Sequence, residues 1–304
     1  MAKHWDEAMI PDQSGKTIVI TGSSSGLGLS TAMVLAGKGA EVILAVRDIQ
    51  KGNAAADQIK RRHTNANVKV MKLDLGSQAS IRSFAAAYRE RFTNLSVLIN
   101  NAGVMMPPYR KTADGFELQF GTNHLGHYAL TGQLLPLLLQ TSKSRIVTVG
   151  SLAARSGRID FDNLDGSRGY RGFAFYRQSK LANVLFAKEL QRRLAEAGAE
   201  TISVACHPGI AATNITSRGS GNKSGLLLFL MKRLFQSAEM GALPSLYATT
   251  VPSLHGGEYI GPDGKGAKKG YPTFDTSIDK IYDPKVAKRL WEVSERLTGH
   301  RYSF

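Results

Sequence analysis

Residues 17–28 read TIVITGSSSGLG. Thr17, Ile18, Val19 and Ile20 form a short apolar, β-branched run. A turn of glycine and serine follows, and a helical pattern opens at about Leu27 and continues to Lys38. Glycines at a strand-to-helix turn let backbone approach a phosphate, and the first N–H groups of the helix face it with the positive end of the dipole. By itself such a stretch is an ordinary turn. Placed between a buried strand and a helix, at the head of a βαβ unit, it becomes a dinucleotide cradle built from Gly22, Ser24, Ser25, Gly26, Leu27 and Gly28.

Working outward, the same alternation recurs. Apolar runs at 42–46, 68–73, 97–99, 146–149 and 202–205 are separated by helix-length segments. Unbroken runs of this kind suit strands covered on both faces, as a parallel sheet requires. Right-handed βαβ crossovers then give an α/β fold, a single doubly wound, Rossmann-type parallel sheet with helices on both faces. We expect one domain over 1–304, with an N-terminal extension at 1–14. After Pro208 the composition shifts: Gly219, Gly221 and Gly225 lead into the LLLFLM run at 226–231. This reads as a substrate lid over about 214–240, followed by a return to the core through 238–250, a strand near Tyr259 and Ile260, and a last helix at 284–297.

The composition, 42% hydrophobic and 21% charged, is that of a globular chain. The formal net charge of +15 invites acidic partners, a phosphorylated cofactor among them. The basic residues are dispersed, however, and the densest clusters, 60–62 and 268–269, come with no aromatic-interleaved stripe, so nucleic acid is not expected as a partner. Cys206 is the single cysteine, which excludes an intrachain disulfide and suits a reducing compartment. No secretory h-region opens the chain, and no apolar run nears the roughly 18 residues of a membrane span. A cytoplasmic protein without stable membrane insertion and without a metal site is the expectation.

The second strand ends Ala45-Val46-Arg47-Asp48, where a dinucleotide presents its adenosine ribose. An acid there selects the 2′-hydroxyl of NAD, and an arginine accommodates the 2′-phosphate of NADP. Val46 stands at the selecting position and Arg47 follows, so NADP is the cofactor expected. Asp48 is read as the cap of the next helix, with an NAD ribose contact as the alternative. Asp74, after the third strand, has the placement of an adenine contact, or else of a helix-start residue. Asn100-Asn101-Ala102-Gly103 closes the fourth strand with small residues that let a ribose or nicotinamide lie close to backbone.

Tyr176 and Lys180 share one helical face a turn apart. Ser151 ends the fifth strand, at the carboxyl edge where open α/β sheets bind ligands. A phenol titrates near 10, and a nearby ammonium together with the positive nicotinamide favours phenolate; a shift of about 3 units needs roughly 4 kcal/mol. Tyr176 can then exchange a proton with a carbonyl or alcohol oxygen that Ser151 orients, while the cofactor carries the hydride.

TGSSSGLG at 21–28, NNAG at 100–103, VGS ending at 151, YRQSK at 176–180 and PGIAAT at 208–213 stand in the order of the short-chain dehydrogenase/reductase family, which the chain resembles over nearly its whole length. GFELQFGTNHLGHY at 115–128, SKLANVLF at 179–186 and RLWEVSERLTG at 289–299 are similar to the retinol dehydrogenase group, the oxidoreductase domain of WW-domain proteins and light-dependent protochlorophyllide reductases. The resemblance implies a catalytic tetrad. Asn123 holds a water linked to Lys180, Ser151 orients substrate, Tyr176 is the acid/base, and Lys180 also binds the nicotinamide ribose. It also implies NADP contacts at Ser24, Ser25, Leu27, Arg47, Asp74, Leu75, Asn101, Ala102 and Gly103, and at Pro208, Gly209, Ile210 and Thr213. Three departures stand out. There is no N-terminal apolar anchor of the membrane-bound retinol dehydrogenase kind. The lone Cys206 and Gly103 break the protochlorophyllide pattern, and Gly150 replaces a serine that many relatives carry before Ser151.

Met105, Met106, Pro107 and Pro108, with the 226–231 run, point to an apolar, bulky ketone, aldehyde or alcohol, and the run could equally pack on the core or on another subunit. The sequence leaves room for a homo-oligomer. Two other functions stay open: an NADP-binding sensor or scaffold without turnover, and light-driven reduction.

Overall fold

The computed structural model describes residues 4–211 and 236–304. Thr213, the 226–231 run and the expected lid up to residue 235 lie outside the described residues. Eight strands form one sheet in the order β3-β2-β1-β4-β5-β6-β7-β8. They are β1 (Thr17–Thr21), β2 (Glu41–Val46), β3 (Val68–Lys72), β4 (Val97–Asn100), β5 (Arg145–Val149), β6 (Ile202–Cys206), β7 (Tyr259–Pro262) and β8 (Pro272–Phe274). All pair in parallel except β8, which runs antiparallel to β7. At three residues β8 is too short to show a period in sequence, and our reading missed it.

The helices are α1 (Gly26–Gly37), α2 (Ile49–Arg62), α3 (Gln78–Arg89), the single turn α4 (Leu118–Phe120), α5 (Gly126–Gln140), α6 (Gly172–Glu196), α7 (Ala238–Thr250) and α8 (Pro284–Thr298). Alternate strand residues point to opposite faces. Ile18 and Ile20 of β1 pack with Leu35 of α1, Ile59 of α2 and Leu246 of α7. Val19, between them, packs with Ile81 of α3, Leu134 of α5 and Leu190 of α6. Both faces are therefore dry, which explains the unbroken apolar runs.

The first described residues are packed on the domain. Ile10 is buried in the core, the Trp5 ring stands edge-on to Tyr247 at 5.1 Å, and Gln13 N donates to the Lys38 carbonyl at 2.8 Å. The described end of the expected lid is likewise built into the domain: Gln236 bridges to Ala211, Ser237 caps α7, and residues 238–240 are its first turn. Among the described residues no helix is long and apolar enough to cross a membrane.

Candidate active site

The parallel strands deliver their carboxyl ends to one edge, and the chemistry-bearing residues follow β1, β4, β5 and β6 there. At β1 the chain turns through Gly22, in the left-handed region at φ 67°, and reaches α1. A Cβ on Gly22 would meet Ala102 Cα at 2.8 Å, and one on Gly28 would meet Asn101 Nδ2 at 2.5 Å. Only bare backbone lets the turn after β1 and the start of α1 lie this close to the end of β4. Ser25, the N-cap of α1, makes no capping bond with its side chain. By contrast, Asp48 and Ser77 cap α2 and α3 through Lys51 N and Ser80 N. The first N–H groups of α1 are thus left for an anion.

Gly22, Ser24, Ser25, Gly26, Leu27, Gly28, Arg47, Asp74, Leu75, Asn101, Ala102 and Gly103 all line one cleft of about 750 Å³. That size, the glycine cradle and the open helix end fit a dinucleotide. Asp48 is the cap of α2, and Ser77 rather than Asp74 caps α3, while the Asp74 carboxylate accepts from Gly76 N at 2.9 Å. Pro208, Gly209 and Ile210 do not line the cleft but stand at its rim. A Cβ on Gly241 would meet Leu27 and Ala211 at 2.8 Å and Pro208 at 3.7 Å, so this turn lies beside the start of α1.

Sequence reasoning missed Lys51, which lines the cleft beside Arg47. It also missed His127. Thr21 Oγ1 and His127 Nε2 are 2.9 Å apart, and His127 Nδ1 lies 2.8 Å from the Asn123 carbonyl oxygen. The carbonyl can only accept, so Nδ1 carries the proton and Nε2 accepts from Thr21. Burial pushes His127 down to about 4 and keeps it neutral. Thr21 Oγ1 also accepts from Asn101 N and Ala102 N, both at 2.9 Å, so one hydroxyl ties β1, β4 and the Asn123 turn together.

Asn123 sits in a π turn, Gly121–Leu125, between α4 and α5. Such turns often mark functional sites. Its Oδ1 accepts from Val104 N at 2.8 Å, and its Nδ2 donates to Val104 O and Ser179 Oγ, both at 3.0 Å. A Cβ on Gly103 would lie 3.4 Å from Asn123 Oδ1 and 3.5 Å from Lys180 Nζ, so these two groups flank Gly103 at the end of the cleft. Lys180 is buried and donates to the Val149 carbonyl at 3.0 Å.

Ser151, Tyr176 and Lys180 do not line the cleft itself. Lys180 flanks Gly103, and the buried Tyr176 phenol lies within the influence of the Ser151 hydroxyl. Burial holds the phenol above its usual range, and the nearby Ser151 hydroxyl opposes this only in part. The Lys180 ammonium is turned to Val149 O, and burial lowers it to about 8. In the protein alone Tyr176 is therefore a proton donor, not a phenolate. Gly150 also gains a reason: a Cβ there would crowd Val184 Cγ2 at 3.0 Å and Tyr259 Oη at 3.1 Å.

The family model described as short chain dehydrogenase matches residues 16–223. Retinol dehydrogenase 13 of Homo sapiens is 44% identical over 300 residues, which cover 96% of this chain and 86% of that protein. Retinol dehydrogenase 12 of Homo sapiens is 42% identical over 295 residues, 95% of this chain and 88% of that protein. Among solved structures, an uncharacterized protein from Mycobacterium Paratuberculosis matches with a TM-score of 0.82 at 40% identity, over 99% of this chain and 100% of that one. A short chain dehydrogenase from Escherichia coli CFT073, solved with NADPH, shares the fold at 21% identity and a TM-score of 0.63, over 81% of this chain and 95% of that one.

Proposed function

The chain belongs to the short-chain dehydrogenase family and is an oxidoreductase acting on CH–OH and C=O groups; from that premise we propose that it uses NADP and reduces an apolar aldehyde or ketone. The observation that carries this reading is buried Tyr176 beside the Ser151 hydroxyl, a helical turn from buried Lys180, which flanks Gly103 in a cleft that Arg47 also lines. When bound, the nicotinamide supplies or accepts the hydride. Tyr176 gives its hydroxyl proton to the carbonyl oxygen, and Ser151 donates a hydrogen bond to the same oxygen. Lys180 would hold the ribose hydroxyls with its ammonium, and a water held by Asn123 would link it to solvent. Met105, Pro107 and Pro108 line the cleft beside Gly103 and favour an apolar substrate. The relatives' names put retinaldehyde and retinol first in a panel.

The test follows NADPH and NADH absorbance across aldehydes, ketones and alcohols of graded size. Turnover of apolar carbonyls with NADPH is the expected result. Tight NADPH binding with no turnover of any member would instead make the protein a sensor or scaffold. A cytoplasmic location belongs to the same proposal, and fractionation checks it.

A pH profile gives a second check. Burial lowers Lys180 to about 8, so its ammonium is charged below that pH and neutral above it. kcat/KM for NADPH should hold near neutrality and fall about tenfold per pH unit above about 8. In Lys180→Arg, where the guanidinium stays charged, this limb should vanish. A limb unchanged in that variant would belong to another group.

A further inference from the structure

Asp275, in the loop after β8, is a meeting point that the proposed chemistry does not use. Its side chain is only 6% exposed. Oδ2 accepts from Arg155 Nη2 at 2.6 Å and from His207 Nε2 at 2.8 Å, and Oδ1 accepts from Ser277 N at 3.0 Å. A helix cap needs Oδ1 alone; Oδ2 gathers two donors from segments that carry the site. Arg155 stands in the short helix Leu152–Ser156 that Ser151 caps. His207 follows β6, directly before Pro208 and Gly209, and its Nδ1 accepts from Gly209 N at 3.2 Å. That bond leaves the proton on Nε2, facing Asp275. The Asp275 backbone N–H donates to Tyr259 O at 2.7 Å, and Tyr259 Oη donates to the Ser151 carbonyl at 3.0 Å. The imidazole needs room, and the chain supplies it: a Cβ on Gly261 would fall 2.0 Å from His207 Nε2.

We infer that Asp275 is a positioning residue for both halves of the site. Through Arg155 and Tyr259 it sets the backbone that presents Ser151. Through His207 it sets the Pro208–Gly209 turn at the rim of the cofactor cleft. The inference rests on the reading of the Ser151–Tyr176–Lys180 centre proposed above.

Asp275→Asn keeps the volume and can keep the Ser277 bond. Its amide group then faces two N–H donors with a donor of its own. This variant should lose about tenfold in kcat and bind NADPH about fivefold more weakly, since small displacements at a reacting centre are costly. In a Ser151→Ala background the same substitution should lower kcat by less than about twofold, because the serine arm is already gone, while the NADPH effect persists. Arg155→Gln, at a partly exposed position, cuts one arm without touching the other. It should lower kcat and leave the NADPH Kd unchanged, and it remains informative if Asp275→Asn does not fold. A full, independent kcat loss in the Ser151→Ala background, or an unchanged NADPH Kd in Asp275→Asn, would overturn the inference. Exchange of the Gly209 amide in cofactor-free protein should quicken in Asp275→Asn. This readout needs no turnover, so it decides the His207 arm even if the substrate panel overturns the reading of the centre.

Discussion

Tyr176→Phe will bind NADPH nearly as tightly as the wild type and turn over about 100-fold more slowly or worse. The substitution removes one oxygen from a side chain that is 7% exposed and leaves the ring in place. The cleft that would hold the dinucleotide is lined by other residues, so the ground-state complex has little reason to change. What is lost is the proton. Burial keeps the phenol above its usual range in the free protein, so the hydroxyl is in the form that donates at neutral pH. Reduction needs that proton as the carbonyl oxygen gains charge, and Ser151 alone offers only a hydrogen bond from a much weaker acid. The comparison is direct: NADPH Kd by fluorescence beside kcat with the best carbonyl of the panel. A near wild-type rate would remove Tyr176 from the centre and with it the mechanism proposed here.

The parts of this molecule that were legible in sequence are those whose signal is local. The strands over 17–21, 42–46 and 146–149 announced themselves because both faces of the sheet are buried, so burial wrote an unbroken apolar run. The glycine cradle was legible because Gly22 and Gly28 stand where a Cβ would strike Ala102 and Asn101. Tyr176, Lys180 and Ser151 were found through helix spacing and strand ends. His127 was not, since nothing near it shows that its ring reaches Thr21, 106 residues away. The same holds for Asp275, whose partners Arg155 and His207 lie 120 and 68 residues upstream. The state of Tyr176 in the free protein was not legible for a related reason. Spacing brought an ammonium near the phenol, but only the fold reveals that Lys180 turns to Val149 O and that burial raises the phenol.

The second large effect concerns cofactor choice. Arg47 is exposed just after β2, and Lys51, in the first turn of α2, lines the same cleft. The 2′-phosphate of NADP carries nearly two negative charges, and a guanidinium can meet it with a forked pair of charge-assisted bonds. At about 1.5–3 kcal/mol for each such bond, a preference for NADPH over NADH of about 100-fold is expected. Lys51 currently faces Asp48 at 3.4 Å, with the two side chains 68% and 44% exposed. A pair that exposed holds its partners weakly, so the ammonium can turn to a phosphate at little cost. Asp48, for its part, is engaged by Lys51 N as the cap of α2, which leaves it poorly placed to take a ribose. Arg47→Ala should therefore raise the NADPH KM about tenfold, and Arg47→Ala combined with Lys51→Ala should bring the two cofactors within about threefold of each other. NADH kinetics should stay nearly flat in both variants, because neither side chain has a phosphate to meet there. Equal weakening of both cofactors would make Arg47 and Lys51 structural residues only. A wild type that prefers NADH outright would give the ribose to Asp48, and the reading of this strand end would fall.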